Sequence, residues 1–124
     1  MEEKEEKILY ISTNGGEDPE KAAMPFVMAN AALAMDVKAT VVLQGNAVYV
    51  AQKGYAEHML PGGGFPPVKK LLDDFVELGG KLWVCVPCIE KRHIDETDLV
   101  DGAETTAGGK VNIEALESNA VFTY

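Results

Sequence analysis

Cys85 and Cys88, the two cysteines of the chain, are the residues best suited to chemistry, and both lie in one stretch, KLWVCVPCIEKRHI, from Lys81 to Ile94. A thiol acts as a nucleophile or redox centre through its thiolate, so the first question is which of the two can ionise. Leu82, Val84 and Val86 alternate with Trp83 and Cys85 in a run dense in β-formers, the pattern of a strand covered on both faces. Pro87 ends that run, because proline cannot donate to a sheet ladder and favours the first turn of a helix. Cys88 is therefore expected in a first turn, where backbone N–H groups lack intrahelical partners and an anion is favoured. Arg92, four residues on, shares its helical face. Cys88 and Arg92 are the candidate catalytic pair. Cys85, inside an apolar strand, would ionise in surroundings that disfavour charge, and is expected to pack as a small hydrophobe.

The Cys-x-x-Cys spacing leaves a second chemistry open, a dithiol that cycles with a disulfide. A disulfide requires Cα atoms within about 7 Å, a span that residues i and i+3 of extended chain tend to exceed, so a stable internal bond is not expected. One cysteine pair with His93 and the distant His58 supplies no second zinc-ligand pair, so no metal is expected. Neither histidine has the serine or acid partners of a triad, and both read as surface residues. Ser12-Thr13-Asn14-Gly15-Gly16 loosely has the composition of a flavin-phosphate loop. Glu17 and Asp18, however, place two negative charges where a phosphate would sit, and no cofactor is expected.

Elements follow from pattern. Ile8 to Ser12 reads as a first strand and Lys38 to Leu43 as a second. Asp18 as N-cap and Pro19 as first helical residue open a helix to about Met35, apolar nearly all round except at Asn30 and bent modestly at Pro25. Gly45-Asn46 is expected to cap a short helix, Ala47 to Lys53. Tyr55 to Pro67, with its Pro-Gly-Gly-Gly centre, is expected to be a mobile loop that rims the cysteine site. Val68, Leu71, Leu72, Phe75 and Val76 form the apolar stripe of an amphipathic helix. Beyond the cysteines, one helical turn (95–100), a weak strand (102–107), a Gly108-Gly109 turn, a helix capped by Asn112 and a last strand (120–124) complete the order. Alternating strands and helices imply about five mainly parallel strands with helices on both faces, an α/β domain over residues 8–124 behind a polar leader, Met1 to Lys7. In such sheets sites form at the carboxyl ends of strands. That edge collects Thr13, Asn14, Gly15, Asn46 and Pro87 as candidate binding residues beside Cys88.

The chain-wide balance narrows the function classes. A length of 124 residues suffices for a core without disulfides or metals. A formal net charge of -9, from 20 acidic and 11 basic residues, argues against nucleic acid and anionic membrane as partners. The charged start and the lack of a long apolar segment lead to a cytoplasmic expectation. The first helix has too little polar surface to face water alone, which predicts association between copies.

Several segments together resemble the DsrE/DsrF-like family of sulfur metabolism: Asp18-Pro19-Glu20-Lys21-Ala22 with Pro25-Phe26 through Ala31, Gly45 to Gly54 with Val48-Tyr49, and Leu82 to Cys88 with Arg92 and Ile94. The resemblance implies a flavodoxin-like three-layer fold, assembly into homotrimers or homohexamers, and transfer of sulfane sulfur as a persulfide. By position Cys88 matches the family's sulfur-carrying cysteine, with sulfur donor and acceptor proteins as partners. His93 departs from the pattern, since a left-handed helix end there would suit glycine. Two other functions stay open, a non-catalytic small-ligand or assembly module and a Cys85/Cys88 dithiol.

Overall fold

Five short segments become strands β1 (Lys7–Ser12), β2 (Lys38–Leu43), β3 (Lys81–Cys85), β4 (Ala103–Thr106) and β5 (Ala120–Thr123), in a computed structural model that describes residues 5–124. Every neighbouring pair is parallel, in the order β4-β3-β2-β1-β5. Parallel neighbours need crossovers, and right-handed crossovers put helices on a side set by the direction of travel. Three successive steps move one way from β1 to β4. They carry α1 (Pro19–Ala34), α2 (Val68–Glu77) and α3 (Val86–Lys91) on one face. The last step crosses back over the whole sheet to the far side of β1, so α4 (Gly108–Glu117) covers the other face. The expected three-layer α/β class is what forms, although the strand order differs from the 2-1-3-4-5 of flavodoxin itself.

On the first face, Phe26 of α1 and Phe75 of α2 meet edge to face with ring centroids 5.6 Å apart, an arrangement worth roughly 0.5–1.5 kcal/mol beyond its buried area. Asn30, the one polar residue of α1 beyond Lys21, donates its side-chain amide to the Leu71 carbonyl at 3.1 Å, which ties α1 to α2 a second time. Asp18 caps α1 by accepting from the Lys21 N–H, and Pro19 occupies the first turn. The helix buries Ala22, Ala23, Pro25, Phe26 and Ala29 and leaves Met28 and Met35 exposed. In α2 the expected stripe is buried through Val68, Leu71, Leu72 and Phe75, while Lys69–Asp73 and Lys70–Asp74 pair along the outer face.

The second face is thinner. Leu9, Val42 and Trp83 pack under Val111 of α4, and the Lys110 ammonium sits 4.5 Å from the centre of the Trp83 ring. Lys7 bridges to the nearly buried Glu114 at 3.1 Å, which anchors α4 to the start of β1.

Four local expectations are corrected. Lys7 belongs to β1, pairing with Lys38, and not to the leader; residues 1–4 lie outside the described residues. Residues Gly45–Ala51 form a 3₁₀ segment whose N-cap residue is Gln44, so Asn46 caps nothing. Gly108 and Gly109 are no turn but the first turn of α4, because β4 ends early enough for the helix to start at once. The turn after α3 is a 3₁₀ turn, Glu96–Asp98, capped by Asp95.

The end of α3 explains the His93 departure. Ile94 N–H donates to the Ile89 carbonyl at 3.0 Å and His93 N–H to that of Glu90 at 3.2 Å, a paired closure that requires a left-handed residue at position 93. His93 takes it, with φ +56, at a cost of roughly 1–2 kcal/mol for a residue with a Cβ. Replacing His93 by glycine is expected to stabilise the fold by about 1 kcal/mol, measured as a raised urea midpoint at unchanged slope.

Candidate thiol site at the carboxyl edge of the sheet

β2 and β3 pair with Leu43 opposite Val84, so both strands end nearly level and the segments that follow leave the sheet side by side. Cys85 is at once the last residue of β3 and the N-cap of α3 (φ -65, ψ 118), and Pro87 lies in the first turn with Cys88 directly behind it. The first-turn placement expected for Cys88 is what the structure has. The helix, however, is only six residues long, so few peptide dipoles align behind the thiol. The contact to its sulfur comes from a neighbouring element: the Gly45 N–H donates to Cys88 Sγ at 3.3 Å. Gly45 itself holds φ +54, the left-handed region that favours glycine.

Arg92 reaches back along α3 as its spacing implies, but its Nη1 donates to the Cys88 backbone carbonyl at 3.2 Å. Its Nη2 and Nε donate to Asn46 Oδ1 at 3.0 and 3.3 Å, and its guanidinium lies 5.9 Å from the centre of the Tyr49 ring. The arginine is thus clamped between α3 and the 3₁₀ segment, a charge fixed beside Cys88 and not a direct partner of the sulfur. Tyr49 stacks on Tyr55 with centroids 5.4 Å apart, and the Tyr55 hydroxyl accepts from the Gly16 N–H at 3.0 Å. This chain of contacts ties the first loop to the cysteine corner.

The remaining candidates divide. A Cβ on Gly15 would stand 2.5 Å from the Asn46 carbonyl oxygen, so only glycine permits that approach, and Gly15 and Asn46 sit together near Cys88. The Gly15 N–H donates to both carboxylate oxygens of Glu17, at 2.7 and 2.9 Å. The loop therefore meets the anion preference of that N–H with its own side chain. Thr13 is turned away, its hydroxyl donating to the Tyr124 carbonyl at 2.7 Å. Asn14 is half-buried and Pro87 exposed. His58 and His93 are both exposed, as expected. The glycine loop is corrected in part. Gly62 and Gly63 lie against Pro19 and Glu20 at the start of α1, not over Cys88. The segment meets the site edge through Tyr55, and borders an open cleft of about 420 Å³ lined by Gly16, Pro19, Tyr55, His58, Met59 and Leu60.

Two contributors escape sequence reasoning. The Gly45 N–H carries no residue signature beyond a glycine after a strand, and Tyr49 and Tyr55 reveal their stack only once the 3₁₀ segment folds. Cys85 lies in the strand as expected, but as its last residue and the N-cap of α3, three residues from Cys88; both thiols are free and half-buried. Burial pushes the Cys85 thiol up; a hydrogen bond with the Cys88 side chain adds to this, while the Cys88 backbone N–H and the Arg92 charge pull it partly back.

A five-stranded parallel sheet with helices on both faces defines the chain as a small three-layer α/β protein. The chain belongs to the DsrE/DsrF-like family, whose model matches residues 6–124. Among curated proteins it is similar to two from Methanocaldococcus jannaschii that carry no assigned function. It is 34% identical to MJ0760 over 111 residues, spanning 83% of this chain but 40% of that protein. It is 30% identical to MJ0989 over 118 residues, 95% of this chain and 99% of that protein. Among solved structures it is similar to the ychN protein of E. coli, with TM-score 0.81, 20% identity, and 96% and 99% of the two chains covered. It also resembles MTH1491 of Methanobacterium thermoautotrophicum, at TM-score 0.68 and 13% identity over 98% and 100% of the two chains. These likenesses establish the fold.

Burial is the largest cause of the Cys85 shift, and it remains when Cys88 is removed. A raised thiol pKa means less thiolate at a given pH, so in Cys88→Ser protein the pH midpoint for iodoacetamide labelling of Cys85 is expected above the ordinary thiol value of about 8.5. A midpoint at or below that value would remove desolvation as the cause.

Proposed function

We propose that the protein is a sulfur-relay protein, a sulfurtransferase in the broad sense, that carries sulfane sulfur as a persulfide on Cys88. The observation that carries this reading is the half-buried Cys88 sulfur accepting a backbone N–H from Gly45, with Arg92 fixed beside it through Asn46. In the first step the Cys88 thiolate attacks the sulfane sulfur of a donor persulfide, and the donor thiolate leaves. In the second, an acceptor thiolate attacks the terminal sulfur and the Cys88 thiolate leaves. Each step breaks one S–S bond and forms another, so no external electrons are needed. Donor and acceptor are proteins that reach the carboxyl edge of the sheet. Family membership supports the reading, and the self-occupied Gly15–Glu17 loop counts against a phosphate-binding module at that edge.

On this reading Cys88→Ser abolishes the gain of about 32 Da per sulfur from a persulfide donor, whereas Cys85→Ser still loads. Arg92→Ala is expected to slow loading roughly five- to tenfold, the equivalent of about 1–1.4 kcal/mol. Intact-mass spectrometry decides it, and loading of the Cys88→Ser protein would overturn the assignment.

The working form is an assembly of copies, a homotrimer or homohexamer. Met28 is 39% and Met35 77% exposed along α1, and Phe122 of the edge strand is 41% exposed. Met28 and Phe122 flank Tyr10, whose hydroxyl donates to the Met28 carbonyl and whose ring stacks on Phe122. Exposed apolar side chains of this kind suit close packing against a second copy. Light scattering at micromolar concentration should give a multiple of the 13.4 kDa chain mass, and a monomer would refute it.

A further inference from the structure

The position of Cys85 gives it more to do than fill space. As N-cap of α3 it precedes Val86, Pro87 and Cys88, which form the first helical turn. An N-cap side chain stands over that turn near the third helical residue, here Cys88, and the Cys88 side chain is one of the groups that raise the Cys85 pKa. Helical residues three apart have Cβ atoms about 5–6 Å apart, and N-cap and third residue approach the spacing a disulfide uses. Pro87, with its fixed φ, lies between them and holds the turn that faces them together.

Resting on the persulfide reading of Cys88, we propose that Cys85 is a resolving thiol: it attacks Sγ of the Cys88 persulfide, forms a Cys85–Cys88 disulfide and expels the terminal sulfur as hydrosulfide. One S–S bond breaks and one forms. The Cys85 thiol proton leaves with the hydrosulfide, the sulfane sulfur gains two electrons, and the two cysteines lose them. A small dithiol then reopens the disulfide by exchange and restores both thiols. The protein thereby has two exits for its sulfur, transfer to a docked thiol or discharge as hydrosulfide.

Burial sets the order of these exits. The raised Cys85 pKa keeps its nucleophilic form scarce near neutral pH, so a docked acceptor thiolate outruns it. Discharge should accelerate as pH rises toward the Cys85 pKa.

The test loads the fully reduced chain with inorganic polysulfide, removes the excess and follows intact mass and free hydrosulfide. Wild-type protein is expected to exchange its adduct of about 32 Da for a species about 2 Da lighter than the reduced chain, with hydrosulfide released in step and faster at pH 9 than at pH 7. Cys85→Ser and Cys85→Ala should each hold the adduct on the order of tenfold longer; using both separates loss of the thiol from a change in packing. Equal lifetimes in wild type and both variants, or sulfur loss without the lighter species, would overturn the resolving role alone. No adduct on any of the three proteins would overturn the persulfide reading and this inference with it.

Discussion

The parallel pairing of β2 and β3 is the constraint on which the site depends. Because Leu43 lies opposite Val84, the chain leaves both strands at one level, and a backbone N–H from one exit meets the sulfur at the other. An antiparallel pair would send the two exits to opposite ends of the sheet. The register thus converts two segments more than forty residues apart into one site, and the core beneath holds it. Val41, Val42, Leu82 and Val84 are fully buried in cores on both faces of the sheet, so a slip of one residue would swap side chains between two differently packed layers.

Polar groups at this edge are used for positioning. The Gly15 N–H is taken by Glu17, the Gly16 N–H by Tyr55 and the guanidinium of Arg92 by Asn46 and the Cys88 carbonyl. With a net charge of -9, the protein has few cations to spare, and the one beside the thiol is held in place by three groups. Holding it removes side-chain freedom before any partner arrives, which is how a surface of modest size becomes preorganised.

Much of this was legible in the residues. Pro87 gave the corner, Asp18-Pro19 the start of α1, and the Val68–Phe75 stripe the orientation of α2, because each rests on a local rule: a missing donor, a cap, a period. The left-handed residue after Arg92 was also legible, through the glycine that a helix end prefers. What escaped was tertiary. No residue pattern states that Gly45 lies next to Cys88, that α4 crosses the sheet alone, or that Gly108-Gly109 opens a helix. The double role of Cys85, strand end and helix cap, has the same root. Its neighbours are all β-formers, and only the immediate start of α3 makes the strand's last residue a cap.

The strand order carries a kinetic consequence. β5 pairs with β1 across more than a hundred residues, Ile8 opposite Ala120 and Tyr10 opposite Phe122, while β1 to β4 are each joined to a sequence neighbour. Closing so long a loop costs conformational entropy that shorter crossovers do not. The four-stranded sheet with its thiol corner is therefore set to assemble first, leaving β1 as a transient open edge until β5 and α4 dock. That late step seals the hydrophobic underside of Trp83, so the interval before it is when the chain is most exposed to edge-to-edge association.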